Sequence, residues 1–270
     1  MAQILRQFLD GPFGQVHFRT AKPNAVTSTL PLICLHQSPK SSREFINFMQ
    51  VMGDTRHVIA IDNPGHGESD VPAQEQDATI PNYAKSAWAI ISALGFDKVD
   101  LLGHHTGAKV ATEMTWQRPS HVRAIVMVSA LVLTAEEQAG FEAQFQPIPI
   151  DEAGTRFSEM WAKSVKHRGP GVSLVDLADS FAENLRAGEA YEWGHKAAFA
   201  YNALFPDRVK TLSNPITVLN PADMLFELTP RVKPLLQNGN VIDHPEWGFG
   251  FMDAYTQDAV AAVEDALTAS

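Results

Sequence analysis

The stretch VDLLGHHTGAKVA, residues 99–111, decides how this chain is expected to fold. A short apolar run leads into a Gly-x-x-x-Gly step, and small helix-forming residues follow it. Glycines two positions either side of a central residue are needed where a strand turns so sharply into a helix that larger side chains would strike neighbouring backbone. The pattern therefore predicts a strand, a tight turn and a helix, with His105 displayed between Gly103 and Gly107.

Similar short apolar runs recur along the chain, with helical patterns between them. The runs are typical of parallel strands buried on both faces and cover residues 32–35, 57–61, 99–102, 122–128, 216–219 and 240–243. The helical patterns cover residues 42–52, 81–94, 106–117, 228–237 and 254–268. Two alternating segments at the start, residues 4–9 and 15–19, predict a hairpin. We therefore expect an α/β fold with a mostly parallel central sheet flanked by helices.

The alternation stops between residues 130 and 205, where no strand pattern occurs. Aromatic residues, Trp161 among them, stand there among helix-forming residues. We interpret this segment as an inserted helical cap over the carboxyl edge of the sheet, where open α/β sheets bind ligands. A packed helical pair without a lid role is the alternative. The domain prediction is a core of residues 1–129 and 206–270 with a cap of residues 130–205, and Trp161 is a candidate substrate contact.

Composition and charge narrow the class of partner. Of the 270 residues, 45% are hydrophobic and 19% are charged, as in an ordinary soluble globular chain. The formal net charge of -10 has the wrong sign for attraction to nucleic acid or anionic lipid. The longest apolar run, residues 124–133, is about half of what a bilayer-spanning helix requires, and the N-terminus lacks the order of a signal peptide. We expect a cytoplasmic protein whose partner is a small-molecule substrate, with no nucleic acid and no membrane, and a homodimer is left open.

Several motifs together resemble those of the α/β-hydrolase fold superfamily, and the resemblance covers nearly the whole chain. The turn centred on His105 is similar to the nucleophile elbow of that family. Residues 35–39, LHQSP, resemble its oxyanion loop, and residues 62–69, DNPGHGES, resemble the loop after its next core strand. Asp223 follows the predicted strand 216–219, at the place where the family carries its acid. The resemblance implies the α/β-hydrolase fold with an inserted helical cap.

Two positions depart from the pattern of the family. The elbow centre, which carries serine, aspartate or cysteine in the family, is His105, and the position that matches the family's histidine is Phe249. His244, five residues earlier, is the remaining candidate for that role. The Ser-His-Asp mechanism does not carry over, because it needs a hydroxyl, a base and an acid in hydrogen-bond series. The Gly-x-His-Thr-Gly elbow is similar to that of a divergent branch of the superfamily. This resemblance implies that the histidine is a native feature of the branch rather than the result of decay of the family's site.

An imidazole at the elbow can still move a proton near pH 7 without a cofactor. We therefore predict an enzyme in which His105 is a general acid or base oriented by Asp223, with His244 as a further catalytic candidate. Aromatic cap residues with few nearby cations favour a small neutral or weakly polar carbonyl compound or ester as substrate. Hydrolysis, lyase-type C–C or C–O cleavage and cofactor-free oxygenation stay open, and a ligand-binding protein without catalysis is the alternative.

The remaining candidates are expected to surround the substrate. The backbone N–H groups of Gln37 and Thr106 are predicted to bind a developing oxyanion, and His36 and His104 are further substrate-binding candidates. Each of the last two has a structural alternative, since His36 can orient its own loop and His104 can point beneath the strand. Asp223 can likewise be a helix N-cap. We predict no metal and no cofactor, because metal-ligand spacing, a dinucleotide fingerprint and a phosphate loop are all missing from the sequence.

Overall fold

The structure, a computed structural model, describes residues 1–144 and 148–269. Within these ranges eight strands form one sheet: β1 (Ile4–Gly11), β2 (Gly14–Ala21), β3 (Leu32–Leu35), β4 (Val58–Ile61), β5 (Val99–His104), β6 (Val122–Val128), β7 (Ile216–Pro221) and β8 (Gly239–His244). Their order across the sheet is β1-β2-β4-β3-β5-β6-β7-β8. The hairpin β1–β2 and the β2–β4 pair are antiparallel, and all the other pairs are parallel. The sheet is mostly parallel, as the sequence predicts.

Helices cover both faces of this sheet. They are α1 (Ile46–Met52), α2 (Ile80–Ala93), α3 (Thr106–Gln117), α4 (Ala135–Gln144), α5 (Thr155–His167), α6 (Leu174–Arg186), α7 (Trp193–Ala200), α8 (Phe205–Thr211), α9 (Phe251–Ala254) and α10 (Thr256–Thr268). Helices α2, α3 and α8 contribute to the hydrophobic cluster on one face, and α1, α9 and α10 contribute to the cluster on the other.

The strand β3 shows why the sheet folds as predicted. Ile33 and Leu35 belong to the cluster on one face, whereas Leu32 and Cys34 belong to the cluster on the other. All four side chains are fully buried. Because successive side chains of a strand point to opposite faces, a strand covered on both faces needs an uninterrupted apolar run, and this is what the sequence provides.

Three predicted helices differ in detail from the structure. The segment 228–237 is a 3₁₀ helix, Thr229–Leu235, because Pro230 and Pro234 lack the N–H that an α-helix interior requires. The segment 42–52 begins with a 3₁₀ turn, Ser42–Phe45, before α1. The segment 254–268 is joined by the short helix α9, and Tyr255 separates it from α10.

Residues 130–205 leave the sheet after β6, and the chain returns to it at β7. The described residues of this segment, which we call the insert, contain helices and loops but no strand. In the parallel pair β5–β6, His104 lies opposite Val128, so the insert starts at the same edge of the sheet as the turn at His105. The domain boundaries and the cap role of the insert stay predictions. Among the described helices, none is both long and apolar enough to cross a bilayer.

Candidate active site

His105 occupies the sharp turn between β5 and α3. Its φ of 47° and ψ of -106° lie outside the regions that residues with side chains ordinarily adopt. A Cβ on Gly103 would lie 2.3 Å from the carbonyl oxygen of Gly107, and a Cβ on Gly107 would lie 1.9 Å from the carbonyl oxygen of Leu35. Both distances are far inside van der Waals contact, so the turn requires a glycine on each side of the histidine.

The imidazole of His105 is paired with Asp223. Its Nε2 lies 2.7 Å from Oδ2 of Asp223. The imidazole is 16% exposed, whereas the carboxylate is 2% exposed. Because an ionised carboxylate only accepts hydrogen bonds, Nε2 carries the proton, and Nδ1 of the neutral ring keeps a lone pair. The pair therefore has the arrangement of a base and the acid that orients it.

Two further donors hold Asp223 in place. The Ser129 hydroxyl donates to Oδ2 at 2.8 Å, and the N–H of Leu225 donates to Oδ1 at 2.7 Å. Burial acts to raise the pKa of the Asp223 carboxyl, but His105 and these donors outweigh it and hold that pKa below its ordinary value. Asp223 is thus ionised at neutral pH, where it orients the ring and stabilises an imidazolium.

A cavity of about 430 Å³ lies beside His105. The core contributes residues of the elbow and of the loop after β3, namely Gln37, Ser38, His105, Thr106 and Lys109. The insert contributes apolar and aromatic side chains, among them Phe141, Met160, Phe181, Tyr191 and Phe199, and also charged and polar ones. Phe249, at the position that matches the family's histidine, is also on the wall. The elbow imidazole therefore faces a mixed but largely apolar binding space.

The two predicted oxyanion donors differ in availability. The N–H of Gln37 donates to Oε2 of Glu44 at 3.2 Å, and the Gln37 side-chain amide donates to Oε1 of the same carboxylate at 3.2 Å. The N–H of Thr106 lies in the first turn of α3, where the helix supplies no acceptor. The N–H of Thr106 is therefore available to an acceptor at the elbow, whereas the N–H of Gln37 is already engaged.

His36 and His104 lie away from the cavity wall. Nδ1 of His104 is hydrogen-bonded to Glu44, and both residues line a separate cavity of about 140 Å³. Burial acts to raise the pKa of Glu44, but the neighbouring histidines and the N–H of Gln37 hold it below its ordinary value. His36 donates from Nδ1 to the Gln37 carbonyl at 2.7 Å and accepts the N–H of Asn63 at Nε2 at 3.0 Å. These contacts match the structural alternatives for both histidines.

Two other candidates also lie outside the main cavity. His244 ends β8, its ring stacks on Trp247 with centroids 3.7 Å apart, and its Nδ1 lies 3.2 Å from Glu246. Among the described residues, no hydrogen bond or ion pair joins His244 to Asp223. Trp161 packs edge-on against Phe181, with centroids 5.4 Å apart, and so lies behind a residue of the wall.

Among the residues that the structure describes, one group of side chains could hold a metal ion. His104, His105 and Asp223 each offer one ligand atom, and these atoms lie within 4.8 Å of one another. The group was not foreseen, because Asp223 is distant in sequence from the two adjacent histidines. In the structure one nitrogen of each ring is hydrogen-bonded to a carboxylate, Nδ1 of His104 to Glu44 and Nε2 of His105 to Asp223. That no metal binds stays a prediction.

Sequence reasoning missed three residues of the site. Ser129 directly follows the predicted strand 122–128 at the carboxyl edge, and this position was the available indication of its contact with Asp223. Lys109 lies one helical turn after His105 on α3, and its buried side chain lines the cavity. Glu44 had no sequence indication, since its contact with His104 spans 60 residues.

The comparison with protein families agrees with this architecture. A model of the alpha/beta hydrolase fold family matches residues 31–184, which is more than half of the chain. The chain belongs to the alpha/beta hydrolase fold family. The family's elbow turn is present, with a histidine where members usually carry the nucleophile.

Several of the curated relatives are hydrolases. The chain is 26% identical over 217 residues to a proline iminopeptidase of Heyndrickxia coagulans, covering 77% of this chain and 73% of that protein. It is 34% identical over 97 residues to a soluble epoxide hydrolase of Corynebacterium sp., covering 36% of this chain and 32% of that protein. An esterase from Exiguobacterium antarcticum has a similar structure, with a TM-score of 0.80 and 15% identity over 98% of this chain and 100% of that chain. This likeness confirms the predicted α/β-hydrolase fold.

Proposed function

We propose that this chain is a cofactor-independent enzyme in which His105 moves a proton during cleavage of a small carbonyl compound or ester. The observation that carries the proposal is the hydrogen bond between His105 and Asp223 at the family's elbow, on the wall of a cavity. A buried histidine in a strained turn costs desolvation and backbone energy, and a site that uses the imidazole accounts for both costs. The hydrolase relatives support a cleavage reaction.

In the proposed mechanism Asp223 keeps the proton on Nε2, and Nδ1 of His105 acts as the base. Nδ1 makes no hydrogen bond with the described residues, so its lone pair is available. For hydrolysis, Nδ1 takes a proton from water, and the resulting hydroxide attacks the carbonyl carbon. The N–H of Thr106 at the start of α3 stabilises the oxyanion, and the imidazolium returns the proton to the leaving group. For a lyase reaction, the same nitrogen takes a substrate proton instead.

A ligand-binding role without catalysis is the second candidate, and it has its own supporting observation. The N–H of Gln37 is engaged by Glu44, and Phe249 stands where the family's histidine would be. A cavity that kept its shape while losing an oxyanion donor and a base would bind a small molecule and release it unchanged. Turnover measurements separate the two candidates.

The test is a His105→Gln variant, which keeps a polar side chain but removes the imidazole. Wild type and variant are assayed with aryl esters, β-diketones and phenolic ketones, with dioxygen present and absent, so that hydrolysis, C–C cleavage and oxygenation are distinguished. We expect the rate on the substrate that is turned over to fall by about a hundredfold to ten thousandfold. His121→Gln, which removes an exposed imidazole, is the matched control and should retain the wild-type rate.

His244→Gln should also retain the wild-type rate, because His244 lies outside the cavity. Full activity in His105→Gln would overturn the proton-transfer role. Tight binding of these compounds without turnover by the wild type would favour the ligand-binding candidate.

A further inference from the structure

Lys109 places a buried ammonium group at the cavity. The side chain is 3% exposed and lies on the wall that also holds His105. Its Nζ donates to the carbonyl oxygen of Ala198 at 2.6 Å and to Oδ1 of Asn202. An ammonium has three donors, so these two acceptors leave one proton without a partner.

No described carboxylate neutralises this ammonium group. Among the side chains that the structure describes, no carboxylate oxygen lies within 4 Å of the Nζ of Lys109. Glu113, one turn further along α3, is engaged by the hydroxyl of Tyr201 at 2.7 Å and faces Arg208 at 3.6 Å. Burial lowers the pKa of Lys109 to about 7. The cost of burying the cation is therefore offset only in part, by its two hydrogen bonds and by the Phe205 ring, whose centroid lies 5.9 Å from Nζ.

The rest of the wall does not remove this positive charge. Arg156 is 9% exposed, and its guanidinium lies 5.4 Å from the centre of the Tyr191 ring. In the described part of the chain it too has no carboxylate oxygen within 4 Å. Of the acidic wall residues, Glu192 lies 3.5 Å from His195 and Glu159 lies on the exposed side of α5.

We propose that Lys109 forms an anion subsite in this cavity, which binds a carboxylate carried by the substrate. That the bound carboxylate belongs to a substrate rests on the proposed function. Residues four apart on a helix lie about 6 Å apart along its axis, so the carboxylate would bind one helical turn from the base His105. The substrate class that fits is a carboxylic acid with a carbonyl or ester group a few bonds away, such as a keto acid or a half-ester. This replaces the neutral substrate that the sequence predicts.

The competing explanation is structural, since Lys109 also joins α3 to α7 and to the residues that follow it. A purely structural contact with the Ala198 carbonyl and the Asn202 amide oxygen needs only neutral hydrogen-bond donors. Burying neutral donors costs less free energy than burying an ammonium group. A carboxylate ligand would supply the missing acceptor and the missing charge in one charge-assisted hydrogen bond. The two explanations predict different effects of removing the charge.

The experiment measures binding by titration calorimetry at pH 7. The probes are propionate, hexanoate and 4-phenylbutyrate, each compared with its primary amide. We expect at least one acid to bind wild type about tenfold or more tighter than its amide. Lys109→Met should lose this preference while its affinity for the amide changes less than about threefold. Lys210→Met, which removes an exposed lysine on α8, is the matched control and should keep the preference.

A second readout is proton uptake, obtained from titrations at pH 8 in buffers of different ionisation enthalpy. At pH 8 the free Lys109 is mostly neutral, because its pKa is about 7, and a bound carboxylate recharges it. Wild type should take up close to one proton for each acid bound, and Lys109→Met should take up much less. The other titratable residues on the described wall are present in both proteins: Lys40, His105, Arg156, Glu159, Lys163, His167, Tyr191, Glu192 and His195.

The outcomes are separable. If no acid binds more tightly than its amide, or if Lys109→Met lowers the thermal midpoint and weakens acid and amide equally, the subsite is refuted and Lys109 is a structural joint. If the acid preference persists while His105→Gln retains full turnover, the subsite stands and the proposed function fails. If the acid preference is missing while His105→Gln is inactive, the subsite is refuted and the proposed function stands.

Discussion

At the scale of single residues, Asp223 determines what the elbow histidine can do. Three donors converge on its carboxylate, from His105, Ser129 and Leu225. In the family pattern the acid orients a histidine that activates the elbow nucleophile, whereas here the acid contacts the elbow residue itself. In the function that we propose, the imidazole takes the place of the nucleophile and acts as a base.

This arrangement predicts the effects of two substitutions. Asp223→Asn should lower kcat about a hundredfold or more, because an amide can donate to Nε2 and so favour the wrong tautomer of His105. Ser129→Ala leaves the carboxylate and two of its donors, so we expect a decrease of only several-fold. Steady-state kinetics over a pH series checks both values.

Ser120→Ala is the control for Ser129→Ala, because the Ser120 hydroxyl is exposed and contacts only the surface residue His121. Wild-type kcat in Asp223→Asn would contradict the role assigned to the carboxylate.

At the scale of elements, the turn between β5 and α3 depends on close approach of backbone to backbone. Gly107 is a helical residue, yet a Cβ there would meet the Leu35 carbonyl oxygen of the neighbouring strand. Gly140 is also helical, in α4, but a Cβ there would meet nothing within 4 Å. The same substitution is therefore expected to have opposite effects at the two positions.

Gly107→Ala should lower the free energy of unfolding by about 3 kcal/mol or more, because strand and helix must move apart. Gly140→Ala should raise it by about 0.5 to 1 kcal/mol, since alanine has the higher helix propensity. Denaturant unfolding measures both values. A Gly107→Ala protein as stable as the wild type would show that the turn tolerates a side chain.

Most elements were predictable because each has a local cause. Buried parallel strands need continuous apolar runs, as in β3, and the elbow needs its two glycines. Where a predicted element differs from the structure, the cause is also local, but the prediction gave too little weight to prolines. Pro230 and Pro234 turn the predicted helix 228–237 into a 3₁₀ helix.

At the scale of the whole molecule, the pH dependence of stability reflects how acidic groups are brought together. Asp253 of α9 lines the smaller cavity with Glu44 and Asp176. Burial, and then these two carboxylates, raise the pKa of Asp253 to about 6, while the side-chain amide of Asn47 acts in the opposite direction. Because the folded state holds this proton more tightly than the unfolded state, stability falls as the pH rises from about 4 to about 6, and the full loss is present above that range.

Asp253→Asn should therefore raise the free energy of unfolding by about 2 kcal/mol at pH 7.5, and the gain should disappear as the pH falls toward 4. The new amide oxygen can still accept the hydrogen bond from Asn47, which is 2.9 Å long. Urea unfolding at pH 7.5 and 4.5 measures the difference. Asp258→Asn, at an exposed position of α10, is the control and should show no such pH dependence. An equal gain at both pH values would contradict the role of ionisation.

The sequence by itself determined the α/β class, the order of strands and helices, and the position of His105 in the elbow. These features follow from periodicity and from steric limits that act over a few neighbouring residues, so a single stretch such as residues 99–111 contains the whole cause. The departures at His105 and Phe249 were visible for the same reason. The family match and the similar structures agree with this part of the prediction.

Only the tertiary structure decided which side chains meet. Asp223 pairs with His105 across 118 residues, Glu44 engages the N–H of Gln37, and Lys109 contacts the insert across 89 residues. Such contacts depend on how far each strand extends before its loop and on where the insert packs, and no local pattern encodes either quantity. His244 and Trp161 illustrate the limit, because their residue types suited the site but the end of β8 and the packing of α5 place them beside it. The chemistry of this site therefore depends on contacts between residues that follow different strands. The fold that brings these residues together is determined by short-range sequence patterns.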